Sequence, residues 1–194
     1  MRVFVSSTYL DLGAFRAQVE RVLTSARHKV VNPYRASSSP TVAALEKEVK
    51  SCDVFVLIQA YYYGKKIDRD LSYTEFEYNT AVSHDRLVLV FQANADFMAP
   101  SALEQSTAGR HRQEHFRKRA GREHRVEVFG NSKEDLATAV LVAVNQHQIP
   151  KWSSNDPRSL PDTFVDRKAA RGQTEPKTRT PGSPHRVVQR LRFL

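Results

Sequence analysis

A chain of 194 residues, 40% hydrophobic and 26% charged, has room for one well-cored globular domain and a tail. Its single cysteine, Cys52, excludes a disulfide framework and a cysteine-rich zinc site. No apolar run approaches the roughly 18 residues of a membrane helix, and the N-terminus enters a β-branched run without a signal-peptide layout. A cytoplasmic protein with no membrane contact is therefore expected. The formal charge of +9 is concentrated in two segments: residues 110–125 hold seven Arg or Lys against Glu114 and Glu123, and residues 151–194 hold ten against four acids. The remainder is slightly acidic, so the basic character describes surface segments rather than a core pocket.

In chain order, Arg2–Ser6 is a short β-branched apolar run, the pattern of a buried strand. From Asp11, the spacing of Leu12, Phe15, Val19, Val22, Leu23 and Ala26 predicts an amphipathic helix. Lys29–Pro33 reads as a second strand stopped by its proline, and the Ser-rich stretch at 37–40 as a loop. Val42, Leu45 and Val49 mark a second helix, and Asp53–Ala60 is the strongest strand signal. A polar loop leads to a third helix near Ser72, then to a strand over Arg86–Phe91. The stretch 101–120 predicts a weakly patterned helix with a break expected at Gly109; a strand over Arg125–Phe129 follows. Ser132 caps a last helix whose apolar stripe is Leu136, Ala137, Val140, Leu141 and Val144.

Strand and helix alternate five times, and the strands are apolar on both faces. Together these argue for a parallel sheet covered by helices on each side. Right-handed crossovers favour a three-layer, flavodoxin-like α/β domain with strand order 2-1-3-4-5 over residues 1–149. Residues 150–194, with many prolines, scattered charge and few apolar residues before a short terminal helical pattern, are expected to be mostly disordered.

In such a sheet, ligands bind outside the carboxyl ends of the strands where the order reverses, here between strands 1 and 3. Strand 1 runs into Ser6, Ser7 and Thr8, and strand 3 runs into the loop carrying Tyr61–Gly64. Hydroxyls and backbone N–H groups ahead of a helix suit phosphate or ribose oxygens, although the same residues serve simply to shape a turn. The helix after that loop carries two glutamates, two residues and about 200° apart, which therefore face nearly opposite ways. Ser72 and Glu75 form a capping-box pattern that gives Glu75 a structural task, whereas Glu77 has none and is either a site residue or an ordinary solvated glutamate.

The blocks "VFVSSTYLDL", "YYG" at 62–64 and "LSYTEFEYNTA" at 71–81 resemble the family of domain of unknown function 4062 over roughly residues 2–145. That family resembles Toll/interleukin-1 receptor (TIR) domains and nucleoside 2-deoxyribosyltransferases. The resemblance implies a TIR-like fold and, with it, cleavage or transfer at the N-glycosidic bond of NAD or a nucleoside, in a signalling or defence setting. It makes Glu77, four residues before Ala81, the implied catalytic residue. Ser6, Ser7, Thr8, Tyr63, Gly64 and Tyr73 become implied substrate-binding residues, with no metal and no cofactor. The sequence departs from the family at His84-Asp85-Arg86, where a Gly-Lys-Pro turn is common, and at Asn32, where an acid often stands. A non-enzymatic nucleotide-sensing or self-associating module stays open beside the enzyme.

Weaker signals point elsewhere. His111-x-x-Glu114-His115 matches an inverted zinc-protease pattern, but its Arg/Lys surroundings repel a dication and no third ligand stands nearby. The basic segments suit weak, non-specific contact with nucleic acid. Cys52, beside a buried strand, reads as an inert thiol.

Overall fold

The computed structural model describes residues 1–31, 41–98 and 106–147. Asn32, the stop at Pro33, the loop at 37–40 and the tail from 150 lie outside them. Strands Arg2–Ser7 (β1), Lys29–Val31 (β2), Val54–Gln59 (β3), Leu87–Ala93 (β4) and Val126–Phe129 (β5) alternate with helices Tyr9–Ser25 (α1), Val42–Lys50 (α2), Tyr73–Ser83 (α3), Thr107–Glu123 (α4) and Lys133–Gln146 (α5). The strands form one sheet in the order β2-β1-β3-β4-β5, every neighbouring pair parallel. This is the expected doubly wound topology.

The two-residue period of a strand divides the core into two layers. Val3 and Val5 of β1 and Val54, Val56 and Ile58 of β3 pack with Leu12 and Val19 of α1 and Leu136 and Val140 of α5. Phe4, Phe55 and Leu57 face the opposite way, onto Val49 of α2, Tyr78 and Ala81 of α3 and Phe116 of α4. Phe4 and Phe55 stack at 5.5 Å between centroids, and each buried ring contributes about 1.5–3 kcal/mol of transfer free energy. The same alternation turns Ser6 toward α3 and Ser7 toward α1.

Thr41, Ser72, Ser106 and Ser132 each cap a helix by accepting from the amide three residues on. Gly109 does not interrupt α4 as expected from sequence. Its amide is the one that Ser106 accepts from, in the first turn, where a glycine costs little. Helix α1 starts at Tyr9, three residues before the apolar stripe begins at Leu12; the stripe does not reveal this start because Tyr9 and Leu10 are exposed and carry no periodic signal. Among the described residues, no helix is long and apolar enough to cross a membrane. Cys52 is fully buried, and burial pushes its thiol up to about 11.

Candidate functional site

Strands β1 and β3 run side by side to a common carboxyl edge, with Ser7 opposite Ile58. A cleft of about 510 Å³ opens there. Ser7 and Thr8 form its floor. Tyr9, Gly13, Arg16 and Glu20, spaced along one flank of α1, form one wall. Tyr62, Gly64 and Lys65 from the β3–α3 loop and Tyr73 and Thr74 from the start of α3 form the other. The cleft thus gathers four of the sequence-implied binding residues: Ser7, Thr8, Gly64 and Tyr73.

The three consecutive hydroxyls at the end of β1 have three different fates. Ser6 Oγ, on the α3 side, donates to Glu77 Oε2 at 2.5 Å; the residues are 0% and 1% exposed. Thr8 Oγ1 donates to Asp11 Oδ1 at 2.5 Å instead of capping α1. Ser7, between them, is buried, and its Oγ has no hydrogen-bond partner among the described residues. Glu77 and Ser6 stand behind the cleft rather than in its lining. Glu77 lies one helical turn beyond Thr74, and Ser6 one residue before Ser7.

Asp11 had no role in the sequence reading; it stands outside the cleft lining and is joined to it through Thr8. It is 6% exposed, and its second oxygen, Oδ2, has no partner among the described residues. Burial pushes its carboxyl up, against the opposing pull of the Thr8 hydroxyl and of backbone N–H groups that include Tyr62's. Its only sequence signal was its place in "SSTYLDL", which an ordinary first-turn acid explains equally well.

Glu75 has a structural task, but a different one from a closed capping box. The Ser72 hydroxyl accepts from the Glu75 amide at 3.2 Å, forming half of the box. The Glu75 carboxylate turns to Tyr63 Oη (2.6 Å) and to Arg119 Nη2 (2.7 Å) rather than back to the Ser72 amide. Tyr63 Oη takes over that amide, accepting from Ser72 N at 3.3 Å, and also lies 2.9 Å from the Asp70 carbonyl. Tyr63 is accordingly 3% exposed and sits in the helix cap, not in the cleft lining. Burial first, and the Glu75 carboxylate second, push its phenol up to about 12. The neighbouring tyrosines part ways: Tyr61 lies under the Arg117 guanidinium at 4.8 Å, and Tyr62 lines the cleft.

Gly64 holds φ at +86°, and a Cβ there would meet Thr8 Cγ2 at 2.7 Å. The glycine allows the β3–α3 loop to close against the β1–α1 turn, so the two segments that frame the cleft are in contact through Thr8.

Helix α4 differs from the fully solvated basic face expected of its sequence. Arg112 Nη2 pairs with Asp70 Oδ1 at 2.5 Å, and Arg119 pairs with Glu75. Arg117 spans the ends of two strands, donating to the carbonyls of Gln59 (2.9 Å), Ala60 (3.1 Å) and Ala93 (2.8 Å). Burial pulls that guanidinium down from its ordinary value. His111 and His115 are exposed, Glu114 pairs with Lys118, and among the described residues no three metal-ligating side chains cluster.

A five-stranded parallel sheet with a hydroxyl-floored cleft at its β1/β3 switch point defines a flavodoxin-like domain of the doubly wound class. The chain belongs to the DUF4062 family, a domain of unknown function, whose family model matches residues 2–144. No curated protein matches the chain. Among the solved structures similar to this chain are two at 13% identity. One is the CMP N-glycosidase BcmB of Clostridium botulinum, over 72% of this chain and 98% of that one, with a TM-score of 0.38. The other is a 2-desoxiribosyltransferase from Leishmania mexicana, over 76% of this chain and 99% of that one, with a TM-score of 0.46.

Proposed function

We propose that this domain binds a nucleoside or nucleotide in the β1/β3 cleft and cleaves or transfers at its N-glycosidic bond, with Glu77 as the acting carboxylate. The observation that carries the reading is the Ser6–Glu77 pair. A carboxylate withdrawn from water on a sheet-facing position is costly where an apolar residue would pack, and such groups concentrate at functional sites. Glu77 would attack the anomeric carbon or stabilise an oxocarbenium-like transition state, and the Ser6 hydroxyl would orient it. The exposed Tyr9 ring and the half-buried Tyr62 and Tyr73 offer faces for a base, and Lys65 a positive charge for a phosphate. Glu77 is outside the cleft lining, so on this reading the sugar reaches it by displacing Thr74, the lining residue one turn ahead of it on α3. NAD is the first substrate to assay, since its nicotinamide is a good leaving group and its loss would carry a signal.

One observation favours a second reading: Glu77 and Ser6 stand behind the cleft lining. On that reading the cleft senses a nucleotide without turnover, and the output is self-association. Incubation of concentrated protein with NAD, ribonucleosides and their 5′-monophosphates, followed by chromatography for free base, separates the two. The enzyme reading expects base release that falls roughly 10²–10⁴-fold in Glu77→Gln. Release unchanged in Glu77→Gln overturns the assignment, and nucleotide binding without release supports the sensor.

A further inference from the structure

One wall of the cleft is a flank of α1 on which Tyr9, Gly13, Arg16 and Glu20 follow one another at helical spacing. Arg16 Nε donates to Glu20 Oε1 at 2.8 Å; the two side chains are 8% and 12% exposed, and both line the cleft. Helix support does not explain this pair. An i, i+4 ion pair supports a helix best when the acid comes first. Glu46–Lys50 and Glu114–Lys118 have that order and are exposed. Arg16–Glu20 has the reverse order and is largely withdrawn from water, where desolvation offsets much of the attraction between the charges. Gly13 points the same way. Glycine is a poor helix former, and a Cβ there would meet nothing nearer than the Tyr9 ring at 3.6 Å, an ordinary contact. Packing among the described residues therefore does not require a glycine inside α1, and its missing side chain widens the cleft beside the ion pair.

The chemistry of the pair limits what it can meet. An arginine beside a glutamate offers N–H donors next to carboxylate acceptors. A phosphate suits the arginine but is repelled by the glutamate, and an alkyl group satisfies neither. The edge of a nucleobase, or of a carboxamide such as that of nicotinamide, carries a donor next to an acceptor and fits both. The flat ring behind such an edge needs a wall of small side chains, which Gly13 and the exposed Ala17 supply. Lys65, on the opposite wall, only donates and suits a phosphate.

We propose that Arg16 and Glu20 read the hydrogen-bonding edge of the ligand's base, whose ring lies along α1 over Gly13 and Ala17. This rests on the nucleoside reading of the same cleft and adds to it the groups that choose the base. Glu20→Gln still accepts from Arg16 but replaces one carboxylate oxygen by an N–H donor, so it changes the edge that fits. Ala17→Leu places a good helix former at an exposed helical position and fills the space beside Arg16.

The test is calorimetric titration of the full chain with the 5′-monophosphates of adenosine, guanosine, cytidine and uridine, with nicotinamide mononucleotide, and with ribose 5-phosphate, which has no base. The expected result is that at least one base-bearing ligand binds about tenfold or more tightly than ribose 5-phosphate. That advantage should disappear in Glu20→Gln and in Ala17→Leu, with the binding of ribose 5-phosphate unchanged. Gly13→Ala should melt at a higher temperature than the wild type and still bind the preferred ligand more weakly. Equal binding of all these ligands to the wild type overturns the proposal, while the cleft still takes nucleotides. A base preference that survives in both Glu20→Gln and Ala17→Leu overturns the assignment to this flank, and the nucleoside reading stands. Equal weakening of every ligand, ribose 5-phosphate included, would mean that the pair only shapes the cleft, and overturns it as a reader of bases. Binding of ribose 5-phosphate alone, or of nothing at millimolar concentration, overturns the nucleoside reading as well. Should Glu20→Gln fail to fold, Ala17→Leu decides.

Discussion

Ser6 and Glu77 meet behind the cleft, the serine hydroxyl 2.5 Å from Oε2, and tie the last inward-facing position of β1 on that side to the middle of α3. Neither residue is exposed by more than 1%. Ser6→Ala removes the hydroxyl from a site that water does not reach and leaves the carboxylate one donor short. The expected cost is about 1–3 kcal/mol of folding free energy, read from urea unfolding. Unchanged stability would show that the bond contributes nothing to holding α3 on the sheet.

Gly64 and Thr8 make a sharper prediction because two effects can be separated. Gly64→Ala meets both the φ of +86° and the Thr8 methyl at 2.7 Å. The loss should be about 1–3 kcal/mol. Thr8→Ser keeps the hydroxyl that serves Asp11 and removes the methyl. In the double variant the steric part should return and the backbone part should remain. A double variant no more stable than Gly64→Ala would mean that the contact with Thr8 is not the source of the strain.

Arg117 closes the carboxyl ends of β3 and β4 with three carbonyl contacts and a ring beneath it. A lysine keeps the charge but loses the planar fork and cannot reach all three carbonyls together. Arg117→Lys should therefore destabilise by about 1–3 kcal/mol, most of what Arg117→Ala costs. Thermal melting of the two variants side by side checks this; a wild-type melting temperature in Arg117→Lys would mean that charge alone suffices.

These contacts also mark where sequence reading ends. All five strands were visible because Val, Ile, Leu and Phe occupy both faces of each central run, and the strand order followed from handedness. The opposite orientation of Glu75 and Glu77 followed from helix geometry alone. The partners of Glu75 did not: Tyr63 arrives from a loop 12 residues earlier and Arg119 from a helix 44 residues later. The buried stripe of α4 is Gly109, Gln113, Phe116 and Ala120, and three of those four residues carry little hydrophobic signal, which hid the helix's register and its inward-facing arginines. The Thr8–Asp11 bond was not legible either, because an acid in the first turn of a helix needs no such partner to explain it.

The Tyr63 phenol predicts a pH dependence with a definite sign. Its pKa rises from the ordinary value near 10 to about 12 in the folded protein, by burial and then by Glu75. The neutral phenol is thus favoured by folding, so its contribution is fully present below about pH 10 and lost as the pH rises through about 12. Tyr78, pushed up by burial and by Glu123, acts in the same direction. Urea midpoints should fall across this window, and more gently in Tyr63→Phe than in the wild type. Midpoints independent of pH between 10 and 12 would contradict the buried cap.

The enzyme reading stands or falls on whether Glu77, buried and outside the cleft lining, meets the sugar. A crystal structure of Glu77→Gln with a bound ribonucleoside 5′-monophosphate decides this. The expected picture is a sugar in the β1/β3 cleft, Thr74 displaced, and the anomeric carbon about 3–3.5 Å from the side chain at position 77. A nucleotide seated in the cleft with Thr74 in place, and with Ser6 still holding the side chain at position 77 behind it, would refute the assignment.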